Sequence, residues 1–262
     1  PDVYNYLMNE LLYYDLKDTM GVSPSLATQV CRELGRRIVG GHLPEHAQID
    51  DESKLAEKFG VSKPVIREAV KLLVGKGLLE VRRGSGTRVR HRGSWALLDD
   101  DVLAWHLSVD PKPDFLRQLM DIRRMMEPKA AGWAADFGLD QQHRTISEAQ
   151  SRMEQDALSV EDFVVADAQF HRAILRAANN EILRSMEGVI FSALLSSIRL
   201  TNSDPRENKS SIPFHREVLE AILKRDAATA EEKMSRHLDD TSERLIAAVE
   251  GFATPARMRA ER

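Results

Sequence analysis

Hydrophobic residues recur at three- and four-residue spacing along most of the chain, and this spacing predicts helices. A short apolar face between residues 55 and 59 stops at Gly60, a residue type that commonly ends helices. Ser62 suits an N-cap and Pro64 suits a first turn, so a second helix is predicted to begin there. The apolar face of that second helix is formed by Val65, Ile66, Val70, Leu72 and Leu73.

A hairpin pattern follows the second helix. Gly77 is predicted to end the helix, and the segments LLEV and GTRV flank a turn at residues 82–86. An apolar helix that begins near Ser25 precedes these elements. Together they have the order of a winged helix-turn-helix, so we predict such a domain over residues 25–92.

Only helical periodicity is visible from residue 114 onward. The predicted helices span 114–137, 139–157, 160–179, 181–202, 209–225 and 227–250. We therefore predict an antiparallel all-α bundle of about six helices over residues 114–252, followed by a tail over 253–262. The predicted fold class is mainly α.

Two segments lie outside these domains. Residues 93–113 contain Trp95 and Trp105, so we expect a packed connector that fixes one domain against the other, with a short helix beginning near Asp99. Residues 1–24 form an N-terminal extension of unassigned role, which contains all four tyrosines. This extension could be a short amphipathic helix that docks on the body or on a partner subunit, and the simpler interpretation is a variable extension.

Charge is distributed unevenly along the chain. The 262 residues carry a net charge of −4, whereas residues 25–92 contain fourteen Lys or Arg and eight Asp or Glu, a balance of +6. Such segregation is expected if one face of a domain meets a polyanion. A basic helix beside a basic hairpin tip suits the DNA major groove and its flanking phosphates.

The cellular location is predicted from cysteine content and hydropathy. Cys31 is the single cysteine, which excludes an intrachain disulfide and favours a reducing cytoplasm. Cys31 lies on the apolar face of the first helix, where we expect a small core residue. No apolar run approaches the roughly 20 residues that span a bilayer, and no signal peptide is visible, so we expect a cytoplasmic protein without membrane contact.

Four residues of the helical region could bind a divalent metal. Asp167 and His171 are four residues apart, so their side chains leave one face of a helix, although such a pair is also common on surfaces. His215 and His237 lie on two other predicted helices among apolar neighbours. One carboxylate and three imidazoles suit zinc, nickel or manganese with open coordination positions, but spacing alone does not show that they converge.

The winged region resembles the DNA-binding domain of the GntR family of bacterial transcription regulators. The motifs that carry the resemblance are LAEKFGVS from Leu55, VIREAVKLL from Val65 and GLLEVRRGSGTRV from Gly77. The resemblance implies double-stranded operator DNA as a partner. The implied DNA-contacting residues are Lys63, Arg67, Arg82, Arg83, Gly84, Ser85 and Arg88. Because this chain departs from the family pattern at Pro64 and Val65, we expect it to differ from better-known members in the bases that it reads.

The helical region is similar to the FCD effector domain of the FadR subfamily of these regulators. The residues that match its metal ligands position by position are Asp167, His171, His215 and His237. This match implies a divalent transition metal, zinc first, with nickel or manganese as alternatives. The remaining histidines are expected at the surface or in the connector; they are His42, His91, His106 and His143.

Arg123, in the segment IRRMMEP, resembles an arginine of FCD domains that pairs with the carboxylate of the effector. A guanidinium offers a planar fork that fits a carboxylate. The alternative is that Arg123 pairs with Glu127, four residues later. Arg199 and Asn202, with Ser196 and Thr201, are further candidates for effector contacts.

The predicted function is that of a homodimeric transcription regulator, most often a repressor in this family, of a sugar-acid catabolic operon. The connector and first bundle helix look most like those of galactonate-responsive members, which implies an aldonate such as galactonate as effector. Two alternatives stay open: a metal-dependent enzyme acting on a sugar acid, and a regulator that senses the metal itself. The enzyme is disfavoured because no additional acid or base stands out beside the ligands, and because it leaves the basic domain unexplained.

Overall fold

The computed structural model describes residues 10–11, 13–14, 25–82, 84–109, 112–155, 159–201 and 209–257. The chain divides into two compact units, Pro1–Asp110 and Pro111–Arg262. Among the described helices, none is both long enough and apolar enough to cross a membrane.

The first unit contains a winged helix-turn-helix, as the sequence predicted. Its elements are α1 (Leu26–Val39), α2 (Glu52–Phe59), α3 (Lys63–Gly75), β1 (Leu79–Arg82), β2 (Gly86–Val89), a 3-10 turn (Arg92–Ser94) and α4 (Asp100–Leu107). The strands β1 and β2 are antiparallel and pair Leu79 with Val89 and Arg82 with Gly86. Buried residues of α1, α3 and the hairpin share one hydrophobic core.

Local chemistry explains where the helices of this unit begin and end. Ser25 caps α1 by accepting a hydrogen bond from the Thr28 backbone N–H at 3.1 Å. Gly60 ends α2 in the left-handed conformation at φ 64°, which glycine adopts without steric cost. Ser62 occupies the N-cap position of α3, but its side chain makes no capping hydrogen bond.

The predicted connector packs onto the core of the first unit. Trp95 and Trp105 are both buried in that core, and Trp105 lies against Gly35 of α1. Lys76, at the end of α3, donates to Asp99 and forms an ion pair with Asp101, each at 2.7 Å. These contacts make α4 an integral part of the first unit.

Four residues of the N-terminal extension are described, and they pack onto the first unit. Glu10, Leu11, Tyr13 and Tyr14 are helical, and Tyr13 and Tyr14 donate hydrogen bonds of 2.7 Å to Asp100 and Asp101 of α4. The buried carboxylate of Glu10 accepts from Arg36 at 2.7 Å and lies 3.4 Å from Arg32. Glu10, Tyr13 and Tyr14 therefore contact α1 or α4 of the first unit.

The second unit is an all-α bundle, in agreement with the predicted fold class. Its elements are α5 (Pro113–Phe137), α6 (Asp140–Met153), α7 (Val160–Ala177), α8 (Glu181–Ser185), α9 (Glu187–Thr201), a 3-10 turn (Lys209–Ser211), α10 (Ile212–Leu223) and α11 (Ala227–Arg257). The predicted fourth helix is divided at Met186, and nothing in the sequence predicts that interruption.

Helix packing in the bundle encloses a common interior. The long helix α5 packs against α7, α9, α10 and α11, and α10 packs against α11 as well. Pro213 lies in the first turn of α10, which explains why this helix begins at Ile212 and not at the predicted residue 209. The helices that surround the interior carry the candidate metal ligands.

Candidate metal centre and DNA-contact surface

The candidate metal ligands converge, although they come from three helices. Asp167 and His171 lie on α7, His215 on α10 and His237 on α11. The potential ligand atoms of the three histidines all lie within 4.8 Å of one another. The three rings are buried, and Asp167 is partly buried.

Asp167 connects two of the histidines. Its Oδ1 atom lies 2.8 Å from Nε2 of His215 and 3.3 Å from Nε2 of His171. Burial by itself raises the pKa of Asp167, but the hydrogen bonds with His171 and His215 outweigh this effect and hold the pKa well below its usual value. The carboxylate is therefore ionised at neutral pH and faces both Nε2 atoms.

The other ring nitrogens of these two histidines have separate partners. His215 Nδ1 lies 2.8 Å from the backbone carbonyl of Ser211. His171 Nδ1 is hydrogen-bonded to the carboxylate of Glu127. In both rings Nε2 is therefore directed at Asp167, and Nδ1 contacts a group outside the histidine cluster.

His237 differs from its neighbours. Its Nδ1 atom is buried and has no hydrogen-bond partner among the described residues. Burial, followed by the neighbouring His215 and His171, lowers the pKa of His237 well below its usual value, so the ring is neutral at physiological pH. A neutral, buried imidazole with an unpaired nitrogen is in the form that metal coordination requires.

Arg123 and Glu127 lie beside the cluster on α5, and both are fully buried. Arg123 Nε donates to Glu127 Oε1 at 2.5 Å, and Arg123 Nη2 lies 3.5 Å from His171 Nε2. The ion pair weighed as an alternative for Arg123 is therefore present, and it adjoins the histidine cluster. Sequence reasoning treated Glu127 only as a partner of Arg123, because its second contact, to His171, lies 44 residues away along the chain.

Charge explains the protonation of this group. Burial raises the pKa of Glu127, but Arg123 and His171 outweigh it and lower the pKa to about 2. Burial lowers the pKa of His171, while the charge of Glu127 and the hydrogen bond with Asp167 raise it to about 9. His171 is thus protonated between two carboxylates, and a metal bound at its Nε2 atom would replace a proton there.

Several predicted effector contacts lie outside the described side chains. Asn202 is outside the described residues, and Arg199 and Thr201 are described in their backbone only. Ser196, on α9, is buried. His143 was expected at the surface, but it is buried with its Nε2 atom 2.8 Å from the Ala134 carbonyl, because α6 packs it against the end of α5.

The predicted DNA-contacting residues lie on α3 and the hairpin. Lys63, Arg67, Arg82, Gly84 and Ser85 are exposed, whereas Arg83 is outside the described residues. Arg88 is half-buried and donates to the His46 carbonyl at 3.3 Å, so it is engaged at the base of the hairpin.

A groove of about 390 Å³ is lined by residues between 48 and 55, at the start of α2, together with residues of α3 and the hairpin. Arg67 and Lys71 of α3 and Val81 and Thr87 of the hairpin are among its lining residues. Arg67 Nε donates to Glu52 Oε2 at 2.7 Å within it. Sequence reasoning did not identify Glu52 as a neighbour of Arg67.

Comparisons with known proteins agree with this arrangement. The family model described as "Bacterial regulatory proteins, gntR family" matches residues 26–89, and the FCD domain model matches residues 118–240. A solved structure of Lar, described as controlling the Listeria monocytogenes agr system, aligns with a TM-score of 0.61 at 18% identity. That alignment covers 87% of this chain and 99% of Lar, and it supports the fold alone.

Three curated relatives cover most of the chain. The galactonate operon transcriptional repressor of Escherichia coli (strain K12) is 29% identical over 214 residues, which are 81% of this chain and 93% of the relative. The Glc operon transcriptional activator of the same strain is 25% identical, covering 82% and 87%. The repressor NanR of Enterobacter sp. (strain 638) is 27% identical, covering 83% and 84%.

Proposed function

Because the chain belongs to the GntR family of bacterial regulatory proteins and carries the FCD domain of its FadR-like subfamily, we propose that it represses a sugar-acid catabolic operon and responds to a metal-bound carboxylate. The two family matches and the curated relatives make it a transcription regulator and not an enzyme, as predicted. The observation that carries the proposal is the convergence of three histidines and a carboxylate beside a buried arginine.

The first unit would bind operator DNA. Lys63 and Arg67 on α3, with Arg82 and the hairpin turn at Gly84 and Ser85, would contact phosphates and base edges. We propose a homodimer, since two-fold symmetry would place two α3 helices about one DNA turn apart on a pseudo-palindromic operator. Such a regulator acts on DNA in the cytoplasm.

The second unit would hold a divalent metal through Asp167, His171, His215 and His237. Three imidazoles and one carboxylate suit zinc best, with nickel or manganese as alternatives. The unpaired Nδ1 atom of His237 and the ionised state of Asp167 support this donor set. When bound, the metal would leave coordination positions open for oxygen atoms of an effector.

Arg123 would recognise the carboxylate of the effector. Its guanidinium is fully buried, and its Nη2 atom lies 3.5 Å from a candidate ligand nitrogen, so an anion could contact Arg123 and the metal together. The relative named for a galactonate operon supports an acid of this kind. An aldonate such as galactonate is the effector that we propose.

Effector binding would act by favouring one dimer geometry over another. An effector shifts an equilibrium only by its difference in affinity between the two states, so a clear switch requires a difference of a few kcal/mol, on the order of 5 for a nearly complete change. We propose that the effector-bound geometry no longer fits the operator half-sites, which releases DNA.

The test uses the full chain and an operator obtained by selection from a random DNA pool. Metals are first removed with EDTA. Zinc, nickel or manganese is then added alone, D-galactonate is added alone, and the two are added together, while DNA binding is followed by fluorescence anisotropy. We expect release only when metal and acid are both present. Release by metal alone would support a metal sensor instead, and consumption of the acid would support an enzyme.

A matched pair of variants tests the arginine. Arg123→Lys keeps the positive charge but loses the bidentate fork, so the concentration of acid needed for release should rise at least about tenfold. Arg117→Lys, on the exposed face of the same helix and paired with Asp121, should respond like the unmodified protein. An unchanged response in Arg123→Lys would remove Arg123 from the effector site.

A further inference from the structure

Arg123, Glu127 and His171 form a buried chain of contacts. All three side chains have no exposed surface, and both carboxylate oxygens of Glu127 are used: Oε1 accepts from Arg123 Nε, and Oε2 accepts from His171 Nδ1. Resting on the metal site proposed above, we propose that Glu127 is the positioning residue that orients His171 as a ligand through Nε2. Glu127 does not itself contact the metal in this assignment.

The comparison with His215 supports this assignment. His215 Nδ1 lies against the Ser211 carbonyl, and its Nε2 faces Asp167 at 2.8 Å. His171 has the same arrangement, with Nε2 3.3 Å from the same Asp167 oxygen, but its Nδ1 partner is a carboxylate. An ionised carboxylate can only accept, so Nδ1 keeps its proton on Glu127, and a metal that displaced the Nε2 proton facing Asp167 would meet the lone pair of that nitrogen.

A carboxylate partner affects a histidine ring more strongly than a backbone carbonyl does. The carboxylate fixes the orientation of the ring and increases the basicity of the opposite nitrogen, which strengthens the bond to a metal. Glu127 can serve in this way because Arg123 Nε pairs with its Oε1 atom at the centre of the bundle, which leaves Oε2 to His171. Among the contacts of the described residues, His171 is therefore the one of the three histidines whose Nδ1 partner is a charged group.

The same contacts place one residue between the effector and the metal. Arg123 is the proposed contact for the effector carboxylate, and Glu127 contacts both Arg123 and His171. If the effector changed the contacts of Arg123, the hydrogen bond from Arg123 to Glu127 would change. The contact of Glu127 with the ligand His171 would change with it. Coupling of this kind is reciprocal, so metal should tighten effector binding by the factor by which effector tightens metal binding.

Glu127→Gln tests the role of the charge while it keeps the shape of the side chain. Zinc affinity of the full chain is measured by competition with a chromophoric chelator, and we expect it to fall by about 10- to 100-fold. The matched control is Glu187→Gln, which removes another buried carboxylate, paired with Arg172 and Arg176, and should leave zinc affinity unchanged. Circular dichroism and thermal unfolding show whether each variant is folded.

A spectroscopic measurement separates positioning from simple support of the fold. In the zinc-bound, ¹⁵N-histidine-labelled protein, the Nδ1 proton of His171 should appear strongly downfield, and it should move upfield in Glu127→Gln. If Glu127→Gln does not fold, the unmodified protein decides alone: zinc-bound His171 without a proton on Nδ1 would overturn the assignment.

The outcomes distinguish this inference from the function on which it rests. If the unmodified chain binds no zinc, nickel or manganese, the proposed metal site fails and the role of Glu127 fails with it. If the unmodified chain binds zinc and Glu127→Gln binds it equally well, only the positioning role is overturned.

Discussion

Asp167 Oδ1 lies 2.8 Å from His215 Nε2, although the two residues are 48 positions apart in the chain. This contact joins α7 to α10 at the histidine cluster. Because His215 would supply one of four metal ligands, His215→Ala should lose most bound metal and the response to the acid, while DNA binding in the absence of effector is retained. Metal content after dialysis, measured by plasma mass spectrometry, checks the first expectation.

The matched control for this variant is His143→Ala. His143 is also a buried histidine of the bundle, but its ring contacts the Ala134 carbonyl and not the cluster. Its replacement should lower stability without lowering metal content. Equal metal content in His215→Ala and the unmodified protein would exclude His215 as a ligand.

The ion pair between Arg67 and Glu52 predicts opposite effects of two substitutions on DNA binding. Arg67→Ala should weaken operator binding and reduce the slope of log affinity against log salt by roughly 0.9, the contribution of one phosphate contact. Glu52→Gln should tighten binding, because DNA would no longer compete with that carboxylate for Arg67. Affinity measured over a series of KCl concentrations tests both variants, and weaker binding by Glu52→Gln would contradict the competition.

Gly35 is predicted to be intolerant of any side chain. A Cβ atom on Gly35 would lie 2.3 Å from Cζ3 of Trp105, so Gly35→Ala should destabilise the first unit by about 1–3 kcal/mol, as overpacked core variants do. Gly75→Ala is the control, since nothing lies within 4 Å of its Cβ position, and it should be neutral or slightly stabilising. Thermal unfolding followed by tryptophan fluorescence compares them, and equal midpoints would contradict the prediction.

Asp51 makes the stability of the first unit depend on acidic pH. The backbone N–H of Lys54, with that of Ser53, donates to the Asp51 carboxylate and holds its pKa below the usual value. This contribution to stability is present above the pKa of the unfolded chain and is lost as pH falls through the lower, folded pKa. Asp51→Asn keeps an acceptor but does not titrate, so its urea midpoint should fall less between neutral and acidic pH. An identical fall in both proteins would rule out this role.

Glu10 predicts that the N-terminal extension contributes to the stability of the first unit. Its carboxylate is buried and accepts from Arg36, so Glu10→Gln should cost about 1–3 kcal/mol by removing the charge that pairs with the partly buried Arg32 and Arg36. Glu33→Gln, an exposed position on α1, removes the same charge and should have little effect. Urea unfolding of the full chain measures the difference, and matching midpoints would mean that the Glu10 ion pairs add no stability.

Periodicity predicted most of the bundle because apolar spacing reports directly which face of a helix is buried. The predicted helix 114–137 is observed as Pro113–Phe137, and 160–179 as Val160–Ala177. The same pattern extended unbroken across Met186, where the backbone leaves the helix. The spacing of apolar residues does not reveal such a break, because apolar residues continue on both sides of it.

The metal candidates were found from residue type and resemblance, but their neighbours were not. Glu127 lies four residues after Arg123, so the sequence could indicate that pair, whereas its contact with His171 depends on how α5 packs against α7. Glu52 and Arg67 are brought together in the same way by the packing of α2 against α3. Contacts between distant segments depend on tertiary packing, and the spacing of residues in a single sequence does not reveal that packing.

The position of Trp105 bears on the design of chimeric regulators. A DNA-binding segment excised after residue 92 would lack Trp95, Trp105 and the aspartates that pair with Lys76, and it would expose the apolar face of α1 to water. Exposed patches of that kind promote aggregation. Grafting this DNA specificity onto another sensor domain therefore calls for a junction beyond α4, near residue 109.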